Sequence, residues 1–242
     1  MFKKFSLFFL IVIFLASLSG FYVYGRSIWH PQYLKLSGRK TVADVVEFYG
    51  EAARGRLNPY FRKAGVTYPA KRITLLAIKD EKRMELWGDN HFIRAYKVKA
   101  ASGFAGPKLR EGDRQVPEGH YKIIGLNPNS SYHLSMKLNY PNAFDMKYAE
   151  AEGRSSPGSN IFIHGKAASI GCLAMGDEVA EELFVLAHDV GIENIDVYIA
   201  PTDPRKKPLN YSGDLSWGEE LYDSLNHVFS KFKENRLFIP GF

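Results

Sequence analysis

The sequence predicts an α+β fold in which helices flank a mostly β body. Apolar residues recur at helical spacing over residues 38–62 and again after residue 176, whereas several short runs between residues 72 and 164 have the character of strands. The chain has 242 residues, of which 45% are hydrophobic and 24% charged. This composition is sufficient for one ordinary core and excludes disorder or a fibrous repeat.

The first residues are typical of an export signal. Lys3 and Lys4 precede an apolar run over residues 5–18, which small residues follow. The run can be extended through residues 5–24, which is about the 20 residues that span a bilayer. We therefore expect residues 1–24 to be a signal peptide or a membrane anchor. The rest of the chain would then be periplasmic, secreted or anchored to the outer face of the inner membrane.

An N-terminal helical extension is expected over residues 25–68. Thr41 and Asp44 have the spacing of a capping box, and apolar residues follow at helical offsets. Gly55 and the pair Asn58-Pro59 are expected to end this helix.

Residues 69–201 are expected to form the β body. Ile73, Leu75 and Ala77 alternate with other residues, and a charged turn leads into Met84 and Leu86, which predicts a hairpin. Further strands are predicted at 92–98, 120–124, 132–138, 160–164 and 196–200, with residues 125–131 and 152–159 as loops.

Two later helices are predicted. The first begins at Asp177 as N-cap and ends at Gly191. Residues 202–242 are expected to be a linker and a C-terminal amphipathic helix, which a capping box of Ser216 and Glu219 would begin. The apolar face of this last helix is expected to pack on the β body; binding to a partner or a membrane is the alternative. That face consists of Trp217, Leu221, Leu225, Val228, Phe229 and Phe232.

Charge and cysteine content narrow the function. The net charge is +6, but Lys and Arg are scattered among 26 acidic residues, so no nucleic-acid partner is expected. Cys172 is the single cysteine, which excludes an intrachain disulfide framework and a cysteine-based zinc cluster. No other spacing of His and acidic residues indicates a metal site, and we expect neither metal nor cofactor.

Two reactive side chains lie close together in the sequence. A predicted strand ends at His164, and the run Ser169-Ile170-Gly171-Cys172 follows a short loop. A thiol that stays unpaired in an exported protein suggests use, and its reactive form is the thiolate. An imidazole facing Cys172 and the nearby start of the helix at Asp177 are both expected to favour that form.

The residues around this pair suit acyl transfer. Gly171 would allow a tight turn, so that its N–H and that of Cys172 could bind an oxygen that gains negative charge. Gly165 leaves room for the imidazole of His164, and its carbonyl or that of a neighbouring residue could hold the ring in one tautomer. Ser169 could brace the loop. The alternative is that Cys172 is a small buried apolar residue and His164 a satisfied histidine at a strand end.

Ile163-His164-Gly165, followed by Ser169-Ile170-Gly171-Cys172, resembles the catalytic signature of the YkuD-like L,D-transpeptidase domain. Residues 112–121 resemble the Pro-x-Gly strand entry of this family. Residues 132–134 and 140–145 resemble its YafK-like subgroup of exported Gram-negative murein enzymes. The likeness covers about residues 73–201.

The resemblance implies a mostly β sandwich catalytic domain that acts on peptidoglycan stem peptides, with Cys172 as nucleophile and His164 as base. An amine acceptor would make the enzyme a transpeptidase; water would make it a carboxypeptidase or an amidase that releases murein-linked protein. A non-catalytic wall-binding module is the alternative of another class. Two departures are visible: Ile170 stands where many relatives carry a second histidine, and the loop before Cys172 is short.

Four residues are weaker candidates for substrate binding. Tyr132, Arg154 and Lys166 could meet the carboxylates of a diaminopimelate-containing stem, because charge-assisted contacts suit such a ligand. Asn142, in a Tyr-Pro-Asn segment, could shape the cleft. Ordinary surface or loop roles are the alternative for all four.

Overall fold

The structure is a computed structural model that describes the backbone of residues 2–233. It describes the side chains of the same residues except 2–7, 23 and 27. Parts of the two terminal predictions, residue 1 of the leader and residues 234–242 of the C-terminal segment, lie outside the described residues. Helices α1 (Phe2–Tyr24) and α2 (Arg26–Ser37) come first. Within the described part of the chain, no helix has the length and apolar character needed to cross a membrane.

Eight strands and four further α-helices follow in the described part of the chain, and the α+β prediction is confirmed. The strands are β1 (Ile73–Ile78), β2 (Arg83–Gly88), β3 (His91–Lys97), β4 (Gly119–Ser130), β5 (His133–Leu138), β6 (Phe162–His164), β7 (Leu173–Ala174) and β8 (Ile195–Ala200). The helices are α3 (Val42–Lys63), α4 (Ala143–Ala151), α5 (Asp177–Val190) and α6 (Gly218–Phe229).

The strands form one mixed sheet in the order β3-β2-β1-β8-β4-β5-β6-β7. The first half of the sheet contains β3, β2, β1 and β8, and the second half contains β5, β6 and β7. Strand β4 belongs to both halves, because its first residues pair with β8 and its later residues pair with β5. One buried cluster contains side chains from both halves, among them Leu75 and Leu86 from the first and Leu134 and Ile163 from the second. The predicted sandwich is therefore built from one continuous sheet.

The two ends of this strand order meet. Ala100, just beyond β3, and Ala174 of β7 exchange backbone hydrogen bonds, with Ala174 N–H donating to Ala100 O at 2.9 Å. Lys99 N–H also donates to Ala174 O, at 2.8 Å. Residues 99–118, which connect β3 to β4, are thereby held beside β7.

Helix α3 begins as predicted but does not end as predicted. Thr41 and Asp44 form the capping box, yet the helix continues through Gly55 and Pro59 to Lys63. Leu57 and Phe61, on either side of the proline, are fully buried. Burying two such side chains contributes about 1.5–3 kcal/mol each, which offsets the roughly 3 kcal/mol cost of an interior proline.

Three other local predictions were wrong. Strand β4 runs through Gly125–Ser130, which we expected to be a loop, because register shifts accommodate its Gly and Asn residues opposite β5. Gly176, with φ of 84°, is the N-cap of α5 in place of Asp177. Trp217 is the N-cap of α6, and no capping box of Ser216 begins that helix. Helix α2 lies within the helical extension expected over residues 25–68, whereas helix α4 was not predicted.

The C-terminal helix packs as expected. Leu221, Leu225 and Phe229 of α6 lie in a second buried cluster with Leu76 and Trp87 of the sheet. Trp217 and Phe232 belong to the same cluster, and Val228 packs against it. The apolar stripe is thus covered by the β body itself.

Candidate active site

Strands β6 and β7 bring together the segments that carry the two sequence-predicted reactive residues. They pair in parallel, with Ile163 opposite Leu173 and His164 opposite Ala174. Ile163 and Leu173 point into the core and are almost fully buried. His164 is the last residue of β6 and Cys172 immediately precedes β7, so this pairing brings the two residues close together in the sheet.

His164 is held in one orientation. Its side chain is buried, and Nδ1 lies 2.6 Å from Gly165 O. A carbonyl oxygen only accepts hydrogen bonds, so Nδ1 carries the proton and Nε2 is left as the basic nitrogen. Burial lowers the pKa of His164 below its ordinary value, and the bond to Gly165 only partly opposes this shift. The ring is therefore neutral at pH 7.

Gly165 is required at this position by packing. A Cβ there would lie 2.7 Å from Oδ1 of Asp177 and 2.8 Å from Tyr132 O. The same Asp177 carboxylate accepts hydrogen bonds from the backbone N–H of Lys166 at 2.8 Å and from its Nζ at 2.5 Å. Asp177, which we expected to cap α5, instead ties the turn after His164 to the first residue of that helix.

Cys172 lies in a less favourable environment for a thiolate than the sequence suggested. Burial raises the pKa of its thiol, which a backbone hydrogen bond from Phe162 and the charge of Lys108 only partly oppose. Sγ lies 3.8 Å from Asn160 O. Strand β7 separates Cys172 from α5, so the start of that helix is not adjacent, and within residues 2–233 no hydrogen bond joins Sγ to the His164 ring.

The resting pair is therefore a neutral thiol and a neutral imidazole. The expectation of a lowered thiol pKa was wrong, because burial depends on the fold and not on the spacing of residues in the sequence. An imidazole that is neutral can accept the thiol proton while sulfur attacks a substrate, which is general-base catalysis. Hydrogen bonds of this kind are often long before the substrate binds.

The backbone amides of Gly171 and Cys172 both have hydroxyl partners. Cys172 N–H donates to Ser169 Oγ at 3.0 Å, and Ser169 Oγ donates back to Cys172 O at 2.6 Å. Ser169 thus braces the turn. Gly171 has φ of 83°, and its N–H donates to Oγ of Ser102 at 2.6 Å. Ser102 was missed in the sequence, since it lies far from the motif and reaches it only through the meeting of β3 and β7.

The weaker substrate-binding candidates divide into two pairs. The ring of Tyr132 lies 4.7 Å from that of His164, and Lys166 is in the turn after His164. Asn142, by contrast, is the N-cap of α4 and forms a capping box with Asp145. Arg154 pairs with Glu152 at 2.6 Å and donates to Leu109 O at 2.9 Å. The partners of Asn142 and Arg154 are thus structural groups, and their proposed contact with substrate stays a prediction.

Lys108 was not singled out in the sequence. It is buried, and its Nζ donates to Asp113 Oδ1 at 2.5 Å and to Arg110 O at 2.9 Å. Its charge is one of the two influences that lower the pKa of Cys172. The ammonium group therefore places a positive charge near enough to the Cys172 thiol to favour its thiolate form.

Other parts of the chain were considered as sites. A cavity of about 430 Å³ lies between β4, α4 and α6, with His120, Asn142 and Ser224 in its lining, but neither His164 nor Cys172 lines it. Over residues 2–233, no cluster of three or more His, Cys, Asp or Glu side chains is arranged to hold a metal ion.

Comparison with known proteins places this geometry in a family. Residues 72–199 match the YkuD family, described as the L,D-transpeptidase catalytic domain. The chain is 33% identical over 155 residues to the protein named "Putative L,D-transpeptidase YafK" of Escherichia coli (strain K12). That match covers 59% of this chain and 61% of the relative, which is less than two thirds of the relative's length.

Solved structures with low similarity to this chain were also found. Bd1075 of Bdellovibrio bacteriovorus has a TM-score of 0.41 and 20% identity, over 68% of this chain and 58% of that one. The helical cell shape determining protein Pgp2 of Campylobacter jejuni has a TM-score of 0.40 and 16% identity, over 73% of this chain and 77% of that one. Because the family match covers more than half of the sequence and includes both His164 and Cys172, the chain belongs to the YkuD L,D-transpeptidase catalytic domain family.

Proposed function

We propose that this protein is an exported cysteine acyl-transfer enzyme that acts on peptidoglycan stem peptides at the diaminopimelate L-centre. The observation that carries the proposal is the β6–β7 pairing, in which His164 ends one strand and Cys172 immediately precedes its neighbour. Membership of the family supports the class of reaction. The bond of His164 Nδ1 to Gly165 supports the role of Nε2 as the base.

The first half of the reaction forms a thioester. Sγ of Cys172 attacks the carbonyl carbon, an S–C bond forms, and the π electrons of the carbonyl move to its oxygen. The thiol proton passes to Nε2 of His164. When the tetrahedral intermediate collapses, the C–N bond to the leaving group breaks and His164 returns the proton to the departing amine.

The acceptor decides the outcome of the second half. An amine of another stem peptide attacks the thioester and forms a cross-link, while His164 takes the amine proton and returns it to the departing sulfur. Water in the same position gives a free carboxylate. The leaving group then distinguishes a carboxypeptidase, which releases a terminal D-amino acid, from an amidase, which releases murein-linked protein.

The test uses the purified protein with defined muropeptides and with protein-linked murein, and mass spectrometry identifies the products. We expect an acyl adduct on Cys172 and a product absent from the Cys172→Ala variant. New cross-links, lost D-alanine or released protein each select one acceptor and leaving group. Binding to murein without an adduct or product, in the wild type and in Cys172→Ala alike, would support a wall-binding module and overturn the enzyme proposal.

Export is proposed on the leader pattern of residues 1–24. Cell fractionation of the full chain, compared with a variant lacking residues 1–24, tests it. We expect the full chain in the periplasm or with the inner membrane, and the shortened chain in the cytoplasm. Lys3→Glu with Lys4→Glu should weaken export, because the positive residues belong to the signal.

A further inference from the structure

The segment of residues 99–118 makes a hydrogen bond to a backbone amide of the turn at residues 169–172, which carries the proposed nucleophile. Gly171 N–H donates to Oγ of Ser102 at 2.6 Å, and Ser102 O accepts from Val116 N–H at 3.3 Å. The proposed acyl transfer would use the Gly171 amide to bind the carbonyl oxygen of the substrate. In the resting protein this position is already occupied by a hydroxyl oxygen.

The hydroxyl of Ser102 acts as an acceptor toward Gly171. Its own O–H donates to Arg114 O at 2.6 Å, so a lone pair faces the amide. A carbonyl oxygen would offer the amide the same kind of lone pair. Ser102 therefore competes with the substrate oxygen for the Gly171 N–H.

Ser102 is presented by a preformed loop. The Gln115 side chain accepts from Phe104 N–H at 2.8 Å and donates to Phe104 O at 2.7 Å and to Gly106 O at 2.6 Å. Gly103 has φ of 94°, and a Cβ there would clash with the Gln115 amide. These contacts fix the residues next to Ser102, so its hydroxyl meets Gly171 without ordering a flexible side chain.

The second amide of the turn is held in another way. Ser169 bonds to both the N–H and the carbonyl of Cys172 and belongs to the same turn. Its withdrawal would remodel the turn that carries the nucleophile. Ser102 belongs to a separate segment, so its side chain can leave Gly171 while the turn keeps its shape.

We propose that Ser102 is a positioning residue that keeps the oxyanion site filled until substrate binds. The substrate carbonyl oxygen displaces the Ser102 hydroxyl from Gly171 N–H, and the Ser102 side chain rotates to another rotamer while the backbone of residues 102–104 keeps its place. The proposal rests on the proposed acyl-transfer function. It adds a competition at the Gly171 amide that slows acylation.

The test compares Ser102→Ala, Ser102→Thr and the control Ser155→Ala, which alters an exposed serine outside the segment. Two second-order rate constants are measured for Cys172: thioester formation with a muropeptide, by intact-protein mass, and alkylation by iodoacetamide. Alkylation proceeds without an oxyanion, so it reports only on access to the thiol and its ionisation.

We expect Ser102→Ala to raise the acylation rate constant about three- to tenfold, the size of one net hydrogen bond. Its alkylation rate should stay within about twofold of wild type, which corresponds to less than one such bond. Ser102→Thr, which keeps a hydroxyl, and Ser155→Ala should both match the wild type. An increase in acylation without a matching increase in alkylation is the result that a merely structural role would not give.

Three results would overturn the inference. Acylation that is unchanged or slower in Ser102→Ala means that the hydroxyl does not compete with the substrate. An equal increase in acylation and alkylation means that the segment only shields the thiol. If the wild type forms no adduct at all, the proposed function fails and the inference fails with it; an adduct in the wild type with no gain in the variant removes the inference alone.

Discussion

The candidate active site, with His164 and Cys172, differs from the interface of α3, β3 and α5 in the charge of its buried polar groups. At the interface, the carboxylate of Glu182 is buried and bonds to Arg56 at 2.8 Å, Arg94 at 3.0 Å and the Tyr96 hydroxyl at 2.9 Å. At the candidate active site, the reactive groups of His164 and Cys172 are neutral at rest. The charged Glu182 thus links α3, β3 and α5, while His164 and Cys172 are neutral groups that can exchange a proton.

This difference follows from the cost of burying a charge. An ion in the interior is tolerated when several partners bind it, and Glu182 has three. Cys172 and His164 lack partners of that kind in the described structure, so burial shifts the pKa of each toward its neutral form. Changes at the two regions should therefore separate activity from stability.

The largest effect is expected at His164. His164→Ala should lower the rate of thioester formation about 10²- to 10⁴-fold, because the thiol loses its proton acceptor. Stopped-flow or quenched mass measurements of the Cys172 adduct check this. His188→Gln, at a partly exposed histidine of α5, is the control and should retain the wild-type rate. A loss of less than tenfold in His164→Ala would argue against the base role.

Glu182→Ala should have the largest effect on stability. It leaves Arg56 and Arg94 without their buried partner, which costs about 3–5 kcal/mol of unfolding free energy. Urea unfolding followed by tryptophan fluorescence measures the loss. Glu178→Ala removes a mostly exposed carboxylate that is 3.5 Å from Arg56 and should cost less than about 1 kcal/mol. Equal losses in the two variants would contradict the contrast between the regions.

The pH dependence of acylation should show which protonation states react. The base form of His164 is needed, and its pKa lies below the ordinary 6.5. The rate should fall about tenfold per pH unit below that pKa, because one proton inactivates the base. Above it, the rate should be flat through neutral pH, since the thiol pKa is raised. A rate that falls between pH 6.5 and 8 would indicate a thiolate–imidazolium pair at rest.

The smallest effect is expected at Lys166. It forms an ion pair with Asp177, and each of the two side chains is more than one-third exposed. Lys166→Ala should therefore lower the unfolding free energy by less than about 1 kcal/mol. Urea unfolding checks this, with Lys166→Arg as the charge-retaining control. A rise in KM for muropeptide without a change in stability would favour the predicted carboxylate contact.

Local signals in the sequence were sufficient for much of the fold. The capping box of Thr41 and Asp44, the β1–β2 hairpin and the apolar stripe of α6 each lie within a few turns or strand residues, and each is present. The prediction of a loop at residues 125–130 was wrong because bulges let Gly and Asn residues pair as a strand. The prediction that Gly55 and Pro59 end helix α3 was wrong because tertiary packing outweighed their low helix propensity.

The site was predictable only in part for the same reason. The motif placed His164, Gly165, Ser169 and Cys172 together because they lie within one short segment. The contact of Ser102 with Gly171 depends on strands that are distant in sequence, and the direction of the thiol pKa depends on burial. Neither property can be read from residue spacing.

The bridge between Ala100 and Ala174 also constrains how a stem peptide can approach. Both backbone groups of Ala174 are used by residues 99 and 100, so this position offers no free edge for strand addition. An extended peptide that lengthened the sheet there would have to break those bonds. Under the proposed function, recognition of a stem peptide at this edge would rest on side-chain contacts more than on a backbone ladder.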